Sequence, residues 1–368
     1  ATMAGPSTRW AARASSAEST PPEKATTWGP MASMVSLRRC SAAAVPRTDS
    51  VTGSKGTSTM ATGAQAPPAR WVPPRSHRSL RGVERRGEID GSEARWLDEV
   101  DLDPGSNWLS MGTRALGSRP WLVADGHREV ELARKAELLA ERPDEVLAVD
   151  PGSERPGRET LALIEAWCAE AGLEPPVALP GGLHPLDRAG RLVQEDLCLL
   201  ARDDDGWVLR AASLCFPSRW RLADKLGRSQ NRVHDPVEGY QDTLAPRVDR
   251  LFDRLGSRIV WRRNWFVHPD PELFQPDRPP AGDPIVPAQR CGEELFVRSE
   301  RQTLRRLPGS GWILFTIRTQ QEPLGVLLAD GGRRRRFQRY LAEAPPDQLA
   351  HRGLAPAQVG ELRLALGH

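Results

Sequence analysis

The first 80 residues constrain the fold most, because they hold almost nothing from which a core can be built. Of these residues, 51 are Ala, Ser, Thr, Pro or Gly and only six are Ile, Leu or Val. Such a segment cannot bury enough apolar surface to offset the conformational entropy that folding removes. We therefore expect residues 1–106 to be a disordered or spurious N-terminal extension and residues 107–368 to form one domain.

The charge of the chain is divided at the same place. The first 80 residues hold ten Lys or Arg and three Asp or Glu, whereas the other 288 residues hold 41 and 45. The net charge of +3 therefore comes from the N-terminal stretch. The rest of the chain lacks the basic excess of a nucleic-acid-binding protein, so no nucleic-acid partner is expected. No run of eighteen apolar residues occurs, so no membrane partner is expected either.

Five cysteines lie at positions 40, 168, 198, 215 and 291, without a CxxC pair or a zinc-site spacing. An odd number of scattered cysteines favours reduced thiols, as in a cytoplasmic protein. The sequence also lacks the glycine-rich motifs of dinucleotide and nucleoside triphosphate sites, and it has neither HExxH nor GxSxG. We expect the chain not to bind a nucleotide cofactor by itself.

Apolar periodicity predicts helices toward both ends of this domain. Asp125 is expected to cap a first helix, whose apolar stripe is Val130, Ala133, Ala136 and Ala140. A second helix is expected over residues 157–171, and two more over 334–343 and 356–366.

Between these helices the pattern is that of β-strands. Strands are expected over residues 192–201, 207–216, 259–267, 295–304 and 312–319. Asp203 to Gly206 reads as a hairpin turn, and residues 221–228 read as a short helix. The predicted fold class is α+β, with a mostly antiparallel sheet and flanking helices.

Two histidines lie at the ends of predicted elements, each near a proline. His234 follows the short helix, and His268 ends a predicted strand. Such imidazoles ligate a metal or haem iron, shuttle protons, or merely hydrogen-bond a nearby turn. Cys215 admits two interpretations as well, a thiolate ligand to haem iron or a small buried hydrophobic side chain.

Cationic side chains are grouped around the same segments. They are Arg219, Arg221, Lys225, Arg262 and Arg263. Guanidinium groups of this kind bind carboxylates in a bidentate manner. The alternative is that they are solvated charges or partners of nearby acidic residues.

The block of residues 191–319 resembles a known family. The resemblance rests on RLVQEDLCLL from residue 191, SLCFPSRWRLADKLG from residue 213, VHDPV from 233, WRRNWFVH from 261, ERQTLRRLP from 300 and FTIRT from 315. These segments are similar to those of the haem-dependent oxidative N-demethylase alpha-subunit-like family. The likeness extends over roughly residues 107–345.

This resemblance implies a haem b held in a PAS-like domain that oxidises an N-methyl group of a small amine, such as dimethylamine, with O₂ and releases formaldehyde. The electrons would come from NADPH through flavin and iron–sulfur subunits on separate chains. A different reading of the same resemblance is a non-catalytic PAS-like haem or ligand sensor or interaction protein, because a fold alone does not determine function.

The resemblance also suggests roles for the cofactor-binding residues. His234 is the first choice for the axial ligand of haem iron, because it follows a helix, and His268 and Cys215 are the alternatives. Arg219 and Lys225, with Trp220 between them, are expected to bind the haem at its propionates.

Further residues are expected to serve the substrate and oxygen. His268 is the expected proton donor beside bound oxygen if His234 is the ligand. Arg263 and Asn264 are expected to orient oxygen or the substrate. An amine is cationic at neutral pH, so a carboxylate such as Asp224 or Asp235 is expected to hold it.

Overall fold

The structure is a computed structural model that describes residues 94–106, 112–174, 179–204, 206–229 and 245–367. The predicted N-terminal extension up to residue 93, as well as His234 and Asp235, lie outside the described residues. Among the described residues, no helix combines the length and the apolar character needed to cross a membrane.

The described residues form α-helices on both sides of a central group of strands. The α-helices are α1 Arg128–Glu141, α2 Pro143–Val146, α3 Glu154–Glu170, α4 Pro185–Gly190, α5 Leu222–Lys225, α6 Ala245–Asp253, α7 Cys291–Glu294, α8 Leu324–Ala329, α9 Gly331–Glu343, α10 Pro346–His351 and α11 Pro356–Ala365. Short 3₁₀ helices span Arg95–Glu99, Pro151–Ser153 and Ala288–Arg290.

The strands form one antiparallel sheet. They are β1 Arg114–Ala115, β2 Leu147–Val149, β3 Asp196–Asp203, β4 Gly206–Ser213, β5 Val260–His268, β6 Phe296–Arg306 and β7 Ile313–Pro323. Their order across the sheet is β1-β5-β6-β7-β3-β4-β2, and neighbouring strands run antiparallel. The predicted α+β class with an antiparallel sheet and flanking helices is confirmed.

Most predicted elements are present within a few residues of their predicted ends. The turn between β3 and β4 pairs Asp203 with Gly206 as expected. The helices α2, α4, α6, α7, α8 and α10 and the strands β1 and β2 were not predicted. All of them are short, with at most nine residues.

The two faces of the sheet are covered by different helices, because strand side chains alternate between the faces. One face packs Leu197, Leu199 and Leu314 against α3 and α4, and we call it the α3 face. The other face packs Val260 and Ile313 against α6 and its following turn, and we call it the α6 face. The short helix α5 covers the adjoining part of the α6 face through Leu222.

A third cluster joins the C-terminal helices to the N-terminal end of the described chain. Trp96 and Leu97 of the first 3₁₀ helix pack in the same cluster as Trp265 and Tyr340, whose rings lie 5.1 Å apart edge to face. The core thus includes residues before position 107, where the sequence places the start of the domain.

Helix α1 turns a charged side toward the sheet. Its buried residues are Glu131, Leu132, Lys135, Leu138 and Leu139, whereas Val130 is 65% exposed. The predicted stripe through Val130 is therefore wrong. The N-cap of α1 is His127 and not Asp125. Oδ1 of Asp125 accepts from the backbone N–H of His127 at 3.1 Å, and Oδ2 binds Arg318 at 2.7 Å.

The ammonium group of Lys135 has no exposed surface. It donates to the carbonyl oxygens of Val193 at 2.9 Å and Glu195 at 2.5 Å, and it lies 3.8 Å from Oδ1 of Asp196. Asp196 in turn accepts hydrogen bonds from the backbone N–H groups of Cys215 and Phe216, both at 2.8 Å. One ion pair thus connects α1, the start of β3 and the turn after β4.

Replacing Lys135 by Met is expected to lower the free energy of unfolding by about 3–5 kcal/mol, because Asp196 loses the cation that compensates its buried charge. The measurement is a urea unfolding curve. Arg134→Met is the matched control, since Arg134 is the next residue of α1, is partly exposed and pairs only with Glu137. The control is expected to change stability by less than about 0.5 kcal/mol. Equal midpoints for the two variants would contradict this account.

Candidate functional site

The α6 face becomes polar along the middle of β5 and β6. Arg262 and Gln302 face each other across these strands, and Nε of Arg262 donates to Oε1 of Gln302 at 2.6 Å. Nε2 of Gln302 donates to Oε2 of Glu300 at 2.9 Å. Glu300 is only 6% exposed. Among the described residues it has no salt-bridge partner, so its carboxylate can accept a cation from a ligand.

Arg298 fixes the loop segments at one end of this face. Its buried guanidinium donates to the carbonyl oxygens of Phe216 at 2.9 Å, Pro217 at 3.2 Å and Leu273 at 2.9 Å. Nε donates to Oγ of Ser218 at 2.9 Å. Burial lowers the pKa of Arg298 to about 10, so the group remains cationic at neutral pH. These hydrogen bonds from Arg298 fix the position of the turn that carries Arg219 and Trp220.

His268 ends β5 at the same end of the face and is 4% exposed. Its Nδ1 has no hydrogen-bond partner among the described residues. Burial, together with the positive charges of Arg298 and Arg219, lowers the pKa of His268 to about 3. The imidazole is therefore neutral at neutral pH, which is the form that ligates a metal.

Arg219 sits in an unusual backbone conformation. Its φ of 64° is the one positive value outside glycine in the described ranges, a conformation that costs about 1 kcal/mol or more for a residue with a side chain. The guanidinium forms a bidentate ion pair with Asp283, with both N–O distances at 2.5 Å. Its backbone N–H donates to the carbonyl oxygen of Gln275 at 2.6 Å. These contacts fix both the backbone and the side chain of Arg219.

The neighbours of Arg219 lie partly at the surface. Trp220 is half-buried and packs against the apolar cluster that contains Leu222. Lys225 ends α5 and is half-buried. Arg221 forms an exposed pair with Asp277 at 2.6 Å, and Asp224 is exposed. The structure thus places the charge of Arg219 within electrostatic reach of His268, whereas Asp224 is exposed.

The side chains of Arg263 and Asn264 point to opposite faces of the sheet, because they are neighbouring residues of a strand. Arg263 lies on the α3 face, where it binds Glu99 at 2.8 Å and donates to Ser299 Oγ at 2.8 Å. Asn264 extends toward the sheet edge, where its Oδ1 accepts from Arg352 at 2.5 Å.

Cys215 has no exposed surface. Burial raises the pKa of its thiol to about 12, so the thiol is protonated at neutral pH. It packs with Leu138, Val146 and Phe216. This environment is that of a small hydrophobic side chain.

Sequence reasoning missed Glu300, Gln302 and Arg298. A run of polar residues such as Arg298 to Thr303 is typical of a solvent-exposed segment, yet in β6 both faces are covered. Two features of the sequence could have indicated these residues. The polar run continues a predicted strand, and it lies in a block that resembles a known family.

The α6 face fits a haem by the chemistry of its residues. A haem needs an apolar surface, cations for two propionates and a ligand for iron. Phe315, which packs on both apolar clusters of this face, supplies part of the surface. Arg219 and Lys225 are the cations predicted for the propionates, and the neutral His268 has an unpartnered ring nitrogen. The residues present are therefore compatible with the group.

A comparison with known families finds a match to this chain. The family model described as "Haem-dependent oxidative N-demethylase, alpha subunit-like" matches residues 165–359, which is more than half of the 368 residues. The matched segment contains strands β3 to β7 and all the residues discussed on the α6 face. It confirms the resemblance that the block 191–319 indicates.

The buried state of His268 predicts a pH dependence of stability in the haem-free protein. Its pKa is about 3 in the folded state and about 6.5 in the unfolded state. As the pH falls below 6.5, only the unfolded chain takes up this proton, so stability falls by up to about 1.4 kcal/mol per pH unit. The free energy of unfolding of wild type and of His268→Gln is measured between pH 7.5 and 4.5. The variant is expected to lack the part of the pH dependence that comes from His268.

His127→Gln is the control for this experiment. The pKa of the exposed His127 is raised, chiefly by a hydrogen bond with Glu322. His127 therefore contributes stability below its ordinary pKa, and this stability is lost as the pH rises. Its replacement should change the slope weakly and in the opposite direction. Identical slopes for wild type and His268→Gln would show that His268 is accessible to protons in the folded protein.

Proposed function

Since the chain belongs to the haem-dependent oxidative N-demethylase, alpha subunit-like family, we propose that it is the haem-containing catalytic subunit of an enzyme that demethylates a small secondary amine. The proposed overall reaction takes dimethylamine, O₂, two electrons and two protons to methylamine, formaldehyde and water. The C–N bond to one methyl group breaks, that carbon is oxidised and O₂ is reduced.

The observation that supports this function best is the combination of a neutral buried imidazole and a buried carboxylate on the α6 face. His268 has an unpartnered Nδ1. Glu300 is bound on one side by Gln302, which Arg262 holds in turn. A redox cofactor and a cationic amine require these two kinds of group.

We propose that the haem lies on the α6 face. His234 remains the first choice for the axial ligand, and His268 is the alternative. Arg219 and Lys225 are the proposed partners of the propionates. The ion pair of Arg219 with Asp283 uses two of the five N–H donors of the guanidinium, so the oriented group retains donors for a further carboxylate. The roles of Trp220 at the haem and of Arg263 and Asn264 toward oxygen remain predictions.

When bound, haem supplies the oxidation of the N-methyl group by O₂. The chain's own residues bind and orient the amine. Glu300 is the proposed carboxylate for the ammonium group of the amine, in place of the exposed Asp224. The hydrogen bond from Gln302 holds the Glu300 carboxylate in place, and the apolar side chains of Ile317 and Phe315 exclude water from the same face. If His234 is the ligand, the ring N–H of His268 is the proposed hydrogen-bond donor to oxygen.

The description of the family as an alpha subunit implies a complex of several subunits. We propose that partner subunits carry the flavin and the iron–sulfur cluster and take electrons from NADPH. The absence of dinucleotide motifs from this sequence is compatible with such a division.

Haem binding is tested by the absorption spectrum of protein purified from haem-supplemented cells. A Soret band is expected, and His234→Ala should reduce the haem content per protein by about tenfold or more, because iron loses its strong protein ligand. His268→Ala should retain the haem. Full haem content in His234→Ala, together with loss of haem in His268→Ala, would instead identify His268 as the axial ligand.

Catalysis is tested by supplying the haem-loaded protein with NADPH, a flavin and iron–sulfur reductase, O₂ and dimethylamine, and by measuring formaldehyde. One formaldehyde per amine consumed is expected. Haem-loaded protein that binds ligands but forms no formaldehyde with any secondary amine would favour the sensor interpretation.

The role of Glu300 is tested with Glu300→Gln, which keeps the shape and removes the charge. The KM for dimethylamine should rise by about tenfold or more, because a charge-assisted contact is lost, with the Soret absorbance per protein unchanged. Glu137→Gln, a change on the exposed side of α1, is the control and should leave KM unaltered. An unchanged KM in Glu300→Gln would exclude Glu300 as the amine-binding group.

A further inference from the structure

Helix α9 is strongly basic, although the part of the chain to which it belongs is slightly acidic. Its 13 residues include five arginines and one glutamate. Residues 81–368 as a whole hold 41 basic and 45 acidic side chains. The positive charge is thus a local property of this helix.

The arginines of α9 do not stabilise the helix that carries them. Arg333 and Arg334 lie in its first turn, where the positive end of the helix dipole disfavours cations, and this turn contains no acidic residue. Arg335 and Arg339 are four residues apart, a spacing at which like charges repel each other. The stability of α9 therefore does not explain its charge.

Two of the five arginines are bound within the chain. The guanidinium of Arg333 pairs with the carboxylate of Asp98 at 3.4 Å. Nε of Arg334 donates to the carbonyl oxygen of Leu328 at 2.9 Å. Their positions are explained by these contacts.

The other three arginines point away from the core. Arg335, Arg336 and Arg339 are exposed, and we call them the arginine face. Arg336 is within electrostatic reach of Asp330, the N-cap of the helix. Neither Arg335 nor Arg339 forms a hydrogen bond or an ion pair with the residues that the structure describes. Their charges are available to a partner.

The helix holds the arginine face in a fixed position. Its opposite side is buried through Phe337, Tyr340 and Leu341. The ring of Tyr340 lies 5.1 Å from the ring of Trp265 on β5, and β5 ends at His268. The arginine face is thus attached to the strand whose last residue belongs to the proposed haem site.

The polar character of the arginine face favours a short-lived contact. None of the exposed large apolar side chains of the described residues lies in α9. Permanent interfaces are built around an apolar centre, whereas electron-transfer encounters between proteins are small and polar. Charge mainly increases the rate at which such partners meet.

The surroundings of α9 favour a protein over a nucleic acid. Segment 98–103, which begins at the contact of Asp98 with Arg333, contains four acidic residues and no basic one. An extended polyanion that covered α9 would be repelled by this segment. A protein can present acidic side chains only where it meets the arginines.

We propose that the arginine face docks an acidic surface of the electron-donating flavin and iron–sulfur reductase. The inference rests on the proposed function, in which that reductase delivers electrons to the haem. Carboxylates of the reductase pair with Arg335, Arg336 and Arg339, and the attraction speeds the encounter of the two proteins.

The test is calorimetric titration of the haem-loaded chain with the reductase used in the formaldehyde assay. At a salt concentration of about 50 mM, a Kd below about 10 μM is expected for wild type. The double variant Arg335→Gln/Arg339→Gln should bind about tenfold more weakly or worse, because charged contacts are lost.

The control variant is Arg155→Gln/Arg158→Gln. It also removes two charges from exposed positions of one helix, where these arginines pair with Glu159 and Glu154. It should bind the reductase as wild type does. Equal Kd values for wild type and Arg335→Gln/Arg339→Gln, or no binding of the reductase by wild type, would overturn the proposal.

Salt and kinetics identify the contact as electrostatic. Raising the salt concentration to about 300 mM should weaken wild-type binding by about tenfold and affect the double variant little. The second-order rate constant for haem reduction by the reductase should fall in parallel. The Soret absorbance and the reduction by dithionite should be unchanged, because the haem site itself is intact.

Thermal unfolding separates docking from a structural role of the arginines. Arg335→Gln/Arg339→Gln should melt at the wild-type temperature or above it, because repulsion between like charges is removed. A lower Tm with unaltered reductase binding would mean that these arginines only stabilise the fold, and would overturn the proposal.

The remaining outcomes distinguish the proposal from the proposed function and from other partners. Wild type that binds the reductase through the arginine face but forms no formaldehyde would contradict the demethylase function and support the docking surface. Tighter binding of a short DNA duplex than of the reductase would overturn the proposal in favour of nucleic acid. A wild-type dimer that becomes monomeric in Arg335→Gln/Arg339→Gln would overturn it in favour of a second copy of the chain.

Discussion

The carboxylate of Asp196 is the point on which the rest of the structure depends. It joins the buried ammonium of Lys135 on α1 to the backbone N–H groups of Cys215 and Phe216 after β4. Arg298 binds the carbonyl oxygens of the same turn. The turn is thus held through both its donors and its acceptors, and this fixes the direction in which Arg219 leaves it. The position of a site on this turn is therefore determined by the buried charges of Asp196, Lys135 and Arg298.

The two faces of the sheet use buried charge differently. On the α3 face, Arg318 is paired with Asp125 at 2.7 Å and with Glu131 at 2.8 Å. On the α6 face, Glu300 accepts a hydrogen bond from Gln302 and interacts electrostatically with Arg298, but it forms no ion pair among the described residues. A buried carboxylate without an ion pair can bind the cation of a ligand, and this is why we assign the amine to that face.

Much of the fold follows from the sequence, because the strands β3, β4 and β7 carry alternating or continuous apolar patterns. Helix α1 was predicted as an element but with the wrong buried side, since its interior positions include Glu131 and Lys135, which hydropathy places at the surface. Arg263 and Asn264 were predicted to orient oxygen or the substrate, and the two-residue period of a strand places their side chains on opposite faces of the sheet. For the site, the resemblance to a known family identified the block of residues 191–319, in which we propose the site. Glu300 was missed because one sequence cannot show that both faces of β6 are covered.

The pairing of Arg263 with Glu99 has a consequence for where the folded unit begins. Glu99 lies in the 3₁₀ helix that packs beside Trp96, and its carboxylate meets a guanidinium that is almost wholly enclosed. A chain shortened to residue 107 would keep every strand and yet leave that guanidinium without its counter-charge. The residues before position 107 thus supply the interior with a counter-charge as well as with apolar side chains.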